Sequence, residues 1–376
     1  SCQAHPHHHQ TSYLDHMKTA LLLLLCVGAG LLHVQAQEDT TSQSDSRLVA
    51  LPIVFLTPET SWGFGAAGIY TFRLPGEAPD SRPSQVQLGG AYTLEDQILS
   101  YLPFQIFAKE EAYNIYGELG YYRYTYFYYG IGNGYEDYDG ELFDLSFPRV
   151  RLNAARKFWG DWYAGFRYWL DDMEVGGLEP GGLLDRPEPV GQSGGLLSAA
   201  GGFLLLDQRN NVFYPTAGHY FELGALNSGS RTGSQFDFTK YALDARKYWS
   251  AGTDAVFALN AYLEFNTGAP PFTHLALLGG TRRMRGYYEG RYRDRQMLIL
   301  QGGYRFPLIW RLKGAVFGGL GNVAGELSGF QLQNTRWTAG LGLRFLLLEA
   351  EQVHVRLDYG FAAGSSGFYL TVGEAF

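Results

Sequence analysis

The residues best suited to chemistry gather in one run, Gly279-Gly280-Thr281-Arg282-Arg283-Met284-Arg285-Gly286-Tyr287, followed by Arg291 and Asp294. Arginine offers a forked donor that binds a carboxylate bidentately, glycine permits a tight backbone, and tyrosine can stack in an interior. This is the chemistry of anchoring rather than of bond making. Covalent chemistry finds little support elsewhere. Beyond residue 36 the histidines are His219, His274 and His354, scattered and without metal-ligand spacing such as H-x-x-x-H. His354 with a neighbouring strand serine is the nearest approach to a hydrolase pair, and a polar lining group explains it better. The stretch Gly130 to Gly134 lacks the lysine and helix of a phosphate loop and reads as a turn. No catalytic residue, metal site or cofactor is expected.

The segment from Met17 has an early charge at Lys18, an apolar run from Ala20 to Leu32 and a Val34-Gln35-Ala36 end, the pattern of a secretory signal peptide over 17–36 cleaved after Ala36. Residues 1–16, with His7, His8 and His9, form an upstream extension set apart from function, and 37–47 are a short polar segment. Cys26 follows Leu25, which argues against lipidation, and Cys2 and Cys26 both precede the cleavage site, so thiol chemistry is excluded. The formal charge of -8 with scattered basic residues excludes a nucleic-acid footprint. Aromatic residues reach 16%, 49 residues are glycine and mean hydropathy is -0.16, with no later apolar stretch long enough for a membrane helix. A membrane span, if present, must be built from strands.

Those strands are written in period-2 alternation. Phe257, Leu259, Ala261, Leu263 and Phe265 oppose Asn260, Tyr262, Glu264 and Asn266; Val353, Val355, Leu357, Tyr359 and Phe361 oppose His354, Arg356, Asp358 and Gly360. Many runs are longer than the usual five or six residues or so and match the roughly nine to eleven that a tilted strand needs to cross a bilayer. Marking them over 48–376 yields sixteen strands, the last at 367–376. With both ends periplasmic, the long connections near 127–140, 174–193, 228–235, 267–294 and 323–334 fall outside, and the other side is tight except at 74–83 and 207–216. The expectation is an all-β, 16-stranded antiparallel transmembrane β-barrel in the bacterial outer membrane. The tract Tyr121 to Tyr129 and Trp159, Trp162 and Trp169 suit interfacial girdles, with core aromatics as the alternative. About eleven polar residues separate Ala36 from the first strand, leaving no room for a soluble domain there.

The run around Arg285 resembles the BamA/TamA superfamily of outer-membrane assembly and translocation proteins, also called the bacterial surface antigen family, which carries an Arg-Gly-(Phe/Tyr) tip in the sixth external loop. Further matches are Asp207, Arg209, Asn210, Asn211, Pro215 and Gly218 at the turn before strand nine; Phe317, Gly321, Asn322 and Val323 on strand thirteen; Gly340, Gly342 and Arg344 on strand fourteen; and an ending from Phe368 through Tyr369 to Phe376 like the terminal strand read by the barrel-insertion machinery. The resemblance implies a lumen-folded sixth loop anchored by Arg285, Gly286 and Tyr287, with Asp294 in the same motif. The family's usual aspartate on strand thirteen is Gly319 here, so the inward Asp358, and after it Glu264, are substitute partners, with Arg344 also in the lumen. Pro52 either weakens a seam between the first and last strands or lies just before the first strand. The implied function is insertion or translocation of proteins or lipids at the outer membrane, with partners in the lipid bilayer, the insertion machinery and periplasmic or lipoprotein subunits. The alternative is a passive pore or a structural subunit of an outer-membrane complex. Arg285→Ala is expected to loosen the loop, and Arg291→Ala to do little.

Overall fold

The structure, a computed structural model, describes residues 46–57, 61–79 and 81–376, so the extension, the signal segment and nearly all of the polar N-terminus lie outside the described residues. The strands are β1 (Arg47–Thr57), β2 (Ser61–Phe72), β3 (Ser84–Thr93), β4 (Ile98–Ala108), β5 (Tyr113–Tyr128), β6 (Glu141–Trp159), β7 (Trp162–Gly176), β8 (Gly195–Asp207) and β9 (Gly218–Ser228). They continue with β10 (Phe238–Ala251), β11 (Ala255–Gly268), β12 (Ala276–Leu278), β13 (Tyr292–Asp294), β14 (Gln296–Ile309), β15 (Leu312–Ala324), β16 (Arg336–Leu348), β17 (Val353–Ala362) and β18 (Ser365–Val372). All except β12 and β13 form one 16-stranded antiparallel sheet in chain order, with β11 beside β14. The pair β12 and β13 is a small hairpin inside the connection from β11 to β14.

The sheet curls round as a barrel, bringing β1 back beside the turn before β17. Arg47 at the start of β1 reaches Glu351, in the turn before β17, at 3.5 Å, and Val49 packs in one cluster with Val353, Leu348 and Phe213. Alternation follows the expected parity: Leu119, Phe166, Leu204, Leu223, Leu300 and Leu341 are exposed on the outer wall, while Asn153, Arg167, Asp171, Asn260, Glu264 and Asp358 are buried inside. So many exposed large apolar side chains suit hydrocarbon and not water.

Three expectations need correction. The last strand ends at Val372, not Phe376: Gly373 takes φ +79° and the chain turns into the lumen, where Phe376 packs on Tyr248 and Ala258. Trp169 is seven residues from Trp162 and therefore on the opposite face; it stacks under Arg151 inside the barrel instead of joining a girdle. The tyrosine tract divides in the same way, Tyr121 facing out while Tyr122, Tyr126 and Tyr128 join an inner cluster with Phe143, Met173, Leu197 and Phe272. That cluster roofs the long-loop end, above β5 to β7, which run for 16, 19 and 15 residues and so outreach the bilayer. The Pro52 question is also resolved in position: it lies within β1, opposite Ala66.

The two unexpectedly long connections on the short-turn side fold under the barrel. Arg82, from the β2–β3 connection, binds Asp207 at 2.9 Å and Glu111 at 2.7 Å and lies over the Phe107 ring. Phe213 and Tyr214, from the β8–β9 connection, are buried beneath β17.

Candidate functional site

The β11–β14 connection enters the lumen and lays its tip on β17. Gly286 has φ +120°, and a Cβ there would meet the backbone of Phe361 at 2.8 Å. Gly360 lies directly beneath, where a Cβ would meet the Arg285 and Gly286 backbone at 2.6 Å. Two glycines thus let two backbones touch, which no other residue type permits at this separation. The tip's polar groups are then matched in turn. Gly286 N–H donates to the Tyr369 hydroxyl at 2.9 Å, which donates to Tyr287 O at 3.2 Å. Ser365 donates to Gly286 O at 2.8 Å, and the Thr338 hydroxyl donates to Arg285 O. Tyr287 and Met284 are buried in a cluster with Leu278, Tyr292, Met297 and Val323.

Arg285 itself pairs with Asp358 and lies 3.6 Å over the Phe317 ring centre. Asp358 also takes Arg344 at 2.5 Å and Arg356 at 3.4 Å, so three guanidinium groups converge on one carboxylate. Arg344 grips Glu374 with two donors, at 3.0 and 3.1 Å, and Arg305 approaches the same carboxylate at 3.8 Å. Burial works to raise the Glu374 carboxyl, but Arg344 and Arg305 overcome it and hold the group well below the usual range. Arg356 completes the tie by donating to Thr281 O at 3.0 Å and Thr371 at 2.9 Å. Gly319 has no room for the family's aspartate: a Cβ there would lie 2.9 Å from Gln301 and 3.2 Å from Met284 Sδ.

Other expected partners go elsewhere. Glu264 does not reach Arg285, because Lys240 on the neighbouring β10 occupies it at 2.5 Å and Tyr262 at 2.7 Å; only Arg283, at 3.9 Å, links it to the loop. Asp294 stands apart from the arginine tip, accepting the Arg295 amide at 2.8 Å at the end of the β12/β13 hairpin, and burial raises its carboxyl. Arg291 is no free loop residue: it donates to Tyr135 O at 3.0 Å and Glu136 O at 2.6 Å, joining the loop to the β5–β6 connection. The glycine-rich 130–134 turn docks here too, Gly132 N–H donating to Arg293 O at 2.8 Å.

The turn before β9 abuts the same network. Asp207 receives Arg209 through two bonds of 2.8 Å. Asn210 and Asn211 each accept two backbone amides, fixing the turn, and Asn211 also donates to Glu351 O at 2.9 Å. Arg305 donates to Pro215 O at 2.5 Å, Glu374 N–H donates to Phe213 O at 3.2 Å, and Gly218, at φ +105°, allows close approach to Gln208. Matches that are separate in sequence therefore form one chain of contacts, from loop tip through β17 and β16 to the C-terminal residues and the turn. Arg356, Glu374, Thr338, Gly360 and Arg82 were missed by sequence reasoning, although inward parity marked Arg356 and Gly360.

A second tie lies nearer the long-loop end. His274, in the 3-10 turn Phe272–His274, meets Asp171 at 2.9 Å beside Arg151. Burial pushes the imidazole down to about 4 against the opposing pull of Asp171.

Comparison with known proteins places the chain. Residues 110–376 match the Omp85 superfamily domain. The barrel is similar to BamA from Haemophilus ducreyi lacking POTRA domains 1–3, at 12% identity and TM-score 0.52 over 88% of this chain and 70% of that one. It is also similar to CdiB from Acinetobacter baumannii, at 10% identity and TM-score 0.53 over 84% of this chain, and to CdiB from Escherichia coli, at 13% and 0.52 over 87%. The chain spans 56% and 61% of those two CdiB chains. No curated protein sequence matches it. With the family model covering well over half of its length, this chain belongs to the Omp85 superfamily and is a bacterial outer-membrane β-barrel.

Proposed function

We propose that this barrel assists insertion or translocation of proteins or lipids at the outer membrane, with its sixth loop locked in the lumen and a seam between β1 and β18 that opens sideways. The observation that carries the reading is the Arg285–Asp358 lock, continued through Arg344 to Glu374 just beyond β18. A plugged lumen disfavours an axial aqueous path, and the loop tip is tied to β17 through Asp358 and to the seam strand β18 through Tyr369 and Ser365. Two features support a weak seam. Pro52 removes one ladder donor from β1, and among the described residues no backbone ladder joins β1 to β18. Substrate capture and any periplasmic or lipoprotein partner belong to the same proposal.

The seam is tested by a cysteine pair at Leu48 and Val372, both exposed at the short-turn end. Oxidative locking should abolish function in the native host and reduction should restore it; indifference to the crosslink removes the lateral route. Gentle extraction followed by mass spectrometry tests the wider reading. Reproducible periplasmic or lipoprotein partners support an assembly or translocation module, whereas a solitary, ion-conducting barrel supports a pore.

A further inference from the structure

On the outer wall near the short-turn end, β7 to β10 carry two stacked rows of opposite character. The first row is apolar: Trp162 stands opposite Leu206, Leu206 opposite Phe221, and Phe221 opposite Ala245. Trp162 and Phe221 meet edge to face across the strand between them, with ring centres 5.9 Å apart. The small Ala245 leaves this row open on one side. A groove of about 400 Å³ results, lined by these four residues with Gln208 and His219.

The second row, one outward-facing step nearer the turns, is polar. Gln208 donates to Asp161 at 2.9 Å, and Lys247 stands directly opposite His219, Nζ to Nε2 2.9 Å. Asp161 is further answered at 3.6 Å by Lys157, whose ammonium lies over the inward Tyr163 ring, so Lys247 is the cation that this row presents outward. Lys247 Nζ, facing His219 Nε2 through one hydrogen, keeps two further ammonium donors to bind an anion beside the imidazole.

We propose that this groove is a binding site for one glycerophospholipid with an anionic headgroup, its phosphate on Lys247 and His219 and an acyl chain along Trp162, Leu206, Phe221 and Ala245. The order of polarity matches that of the ligand: apolar groove towards the hydrocarbon, cationic donors towards the interface. A soluble anion has no use for the groove, and neutral lipid has none for the charge. The site is on the opposite face of the wall from the lumenal lock, and so stands whether or not the seam opens.

The test is native mass spectrometry of the full barrel titrated with phosphatidylglycerol and phosphatidylcholine of identical chains. Wild type should retain one phosphatidylglycerol in preference to phosphatidylcholine. Lys247→Gln should weaken phosphatidylglycerol retention about fivefold, the scale for one basic residue at a lipid surface. Ala245→Phe should fill the groove and abolish retention without changing charge, while Lys109→Gln, at the β4–β5 turn, should leave retention unchanged. Unshifted gel mobility on heating identifies any variant that has failed to fold. Equal retention of the two lipids, displacement by millimolar inorganic phosphate, wild-type retention by both groove variants, or a barrel dimer lost in Ala245→Phe would each overturn the site.

Discussion

Removing either partner of the Arg285–Asp358 pair should have unequal consequences, because the carboxylate is shared and the loop arginine is not. In Arg285→Ala, Asp358 keeps Arg344 and Arg356, so no buried charge is stranded. The loss is one charge-assisted hydrogen bond, worth about 1.5–3 kcal/mol, and the stacking on Phe317, worth about 0.5–2 kcal/mol. The sum, about 2–5 kcal/mol, favours release of the tip by roughly 30- to 4,000-fold. In Asp358→Asn, Arg285, Arg344 and Arg356 face one another with only Glu374 nearby, and orphaned buried charge costs about 3–5 kcal/mol per broken pair. The assay is hydrogen exchange of residues 281–290 in the folded, detergent-solubilised protein. The expected order of protection is wild type, then Arg285→Ala, then Asp358→Asn, with the barrel strands unchanged. Equal protection in wild type and Arg285→Ala, or a milder effect from Asp358→Asn, would refute the reasoning.

Gly360→Ala should displace the tip with no change of charge, since the new Cβ would fall 2.6 Å from the Arg285 backbone; loop proteolysis should rise as it does for Arg285→Ala. His274 supplies a pH dependence: its value of about 4 in the folded chain lies below the ordinary 6.5, so protonation favours release of its turn from Asp171 and Arg151. The associated stability is fully present above pH 6.5 and declines as pH falls towards 4, by at most about 3 kcal/mol; His274→Gln should flatten that profile in exchange measurements on residues 270–275. Glu374→Gln should leave Arg344 and Arg305 short of a carboxylate and free the C-terminal residues, read as faster carboxypeptidase trimming. Arg291→Ala should loosen the loop's link to the β5–β6 connection, where it donates to Tyr135 O and Glu136 O and lies over the Tyr129 ring, while lowering tip protection less than Arg285→Ala, since it touches the tip cluster only through the Tyr292 ring at 5.1 Å.

The barrel was legible because a strand's parity is written directly in its residues: Asp358, Glu264 and Arg356 could be assigned to the inner face from alternation alone. Strand parity does not say which inward groups meet. Alternation ranks Asp358 and Glu264 only as first and second candidates, and it is the structure that shows Lys240, one strand away, occupying Glu264. The ending was misread for a related reason. Phe368, Leu370 and Val372 continue the outward pattern, and only the left-handed Gly373 shows that Glu374 and Phe376 leave it. Aromatic girdles and aromatic cores use the same residues, so Trp169 and Tyr128 needed the register to place them. Arg82 carries no local signal, its partner Asp207 lying 125 residues away.

The inward turn after β18 also sets an order of events. Arg344 is made thirty residues before Glu374, and Arg305 earlier still, so a chain emerging during synthesis carries these arginines without their carboxylate. Arg344 and Arg305 gain this carboxylate only when the residues after β18 fold back. A chain truncated by three residues would have every membrane-spanning strand and still hold uncompensated cations in its centre. Lumenal electrostatic stability is thereby tied to residues beyond the last strand, and copies that stop short of Glu374 should be the ones most readily lost to proteolysis.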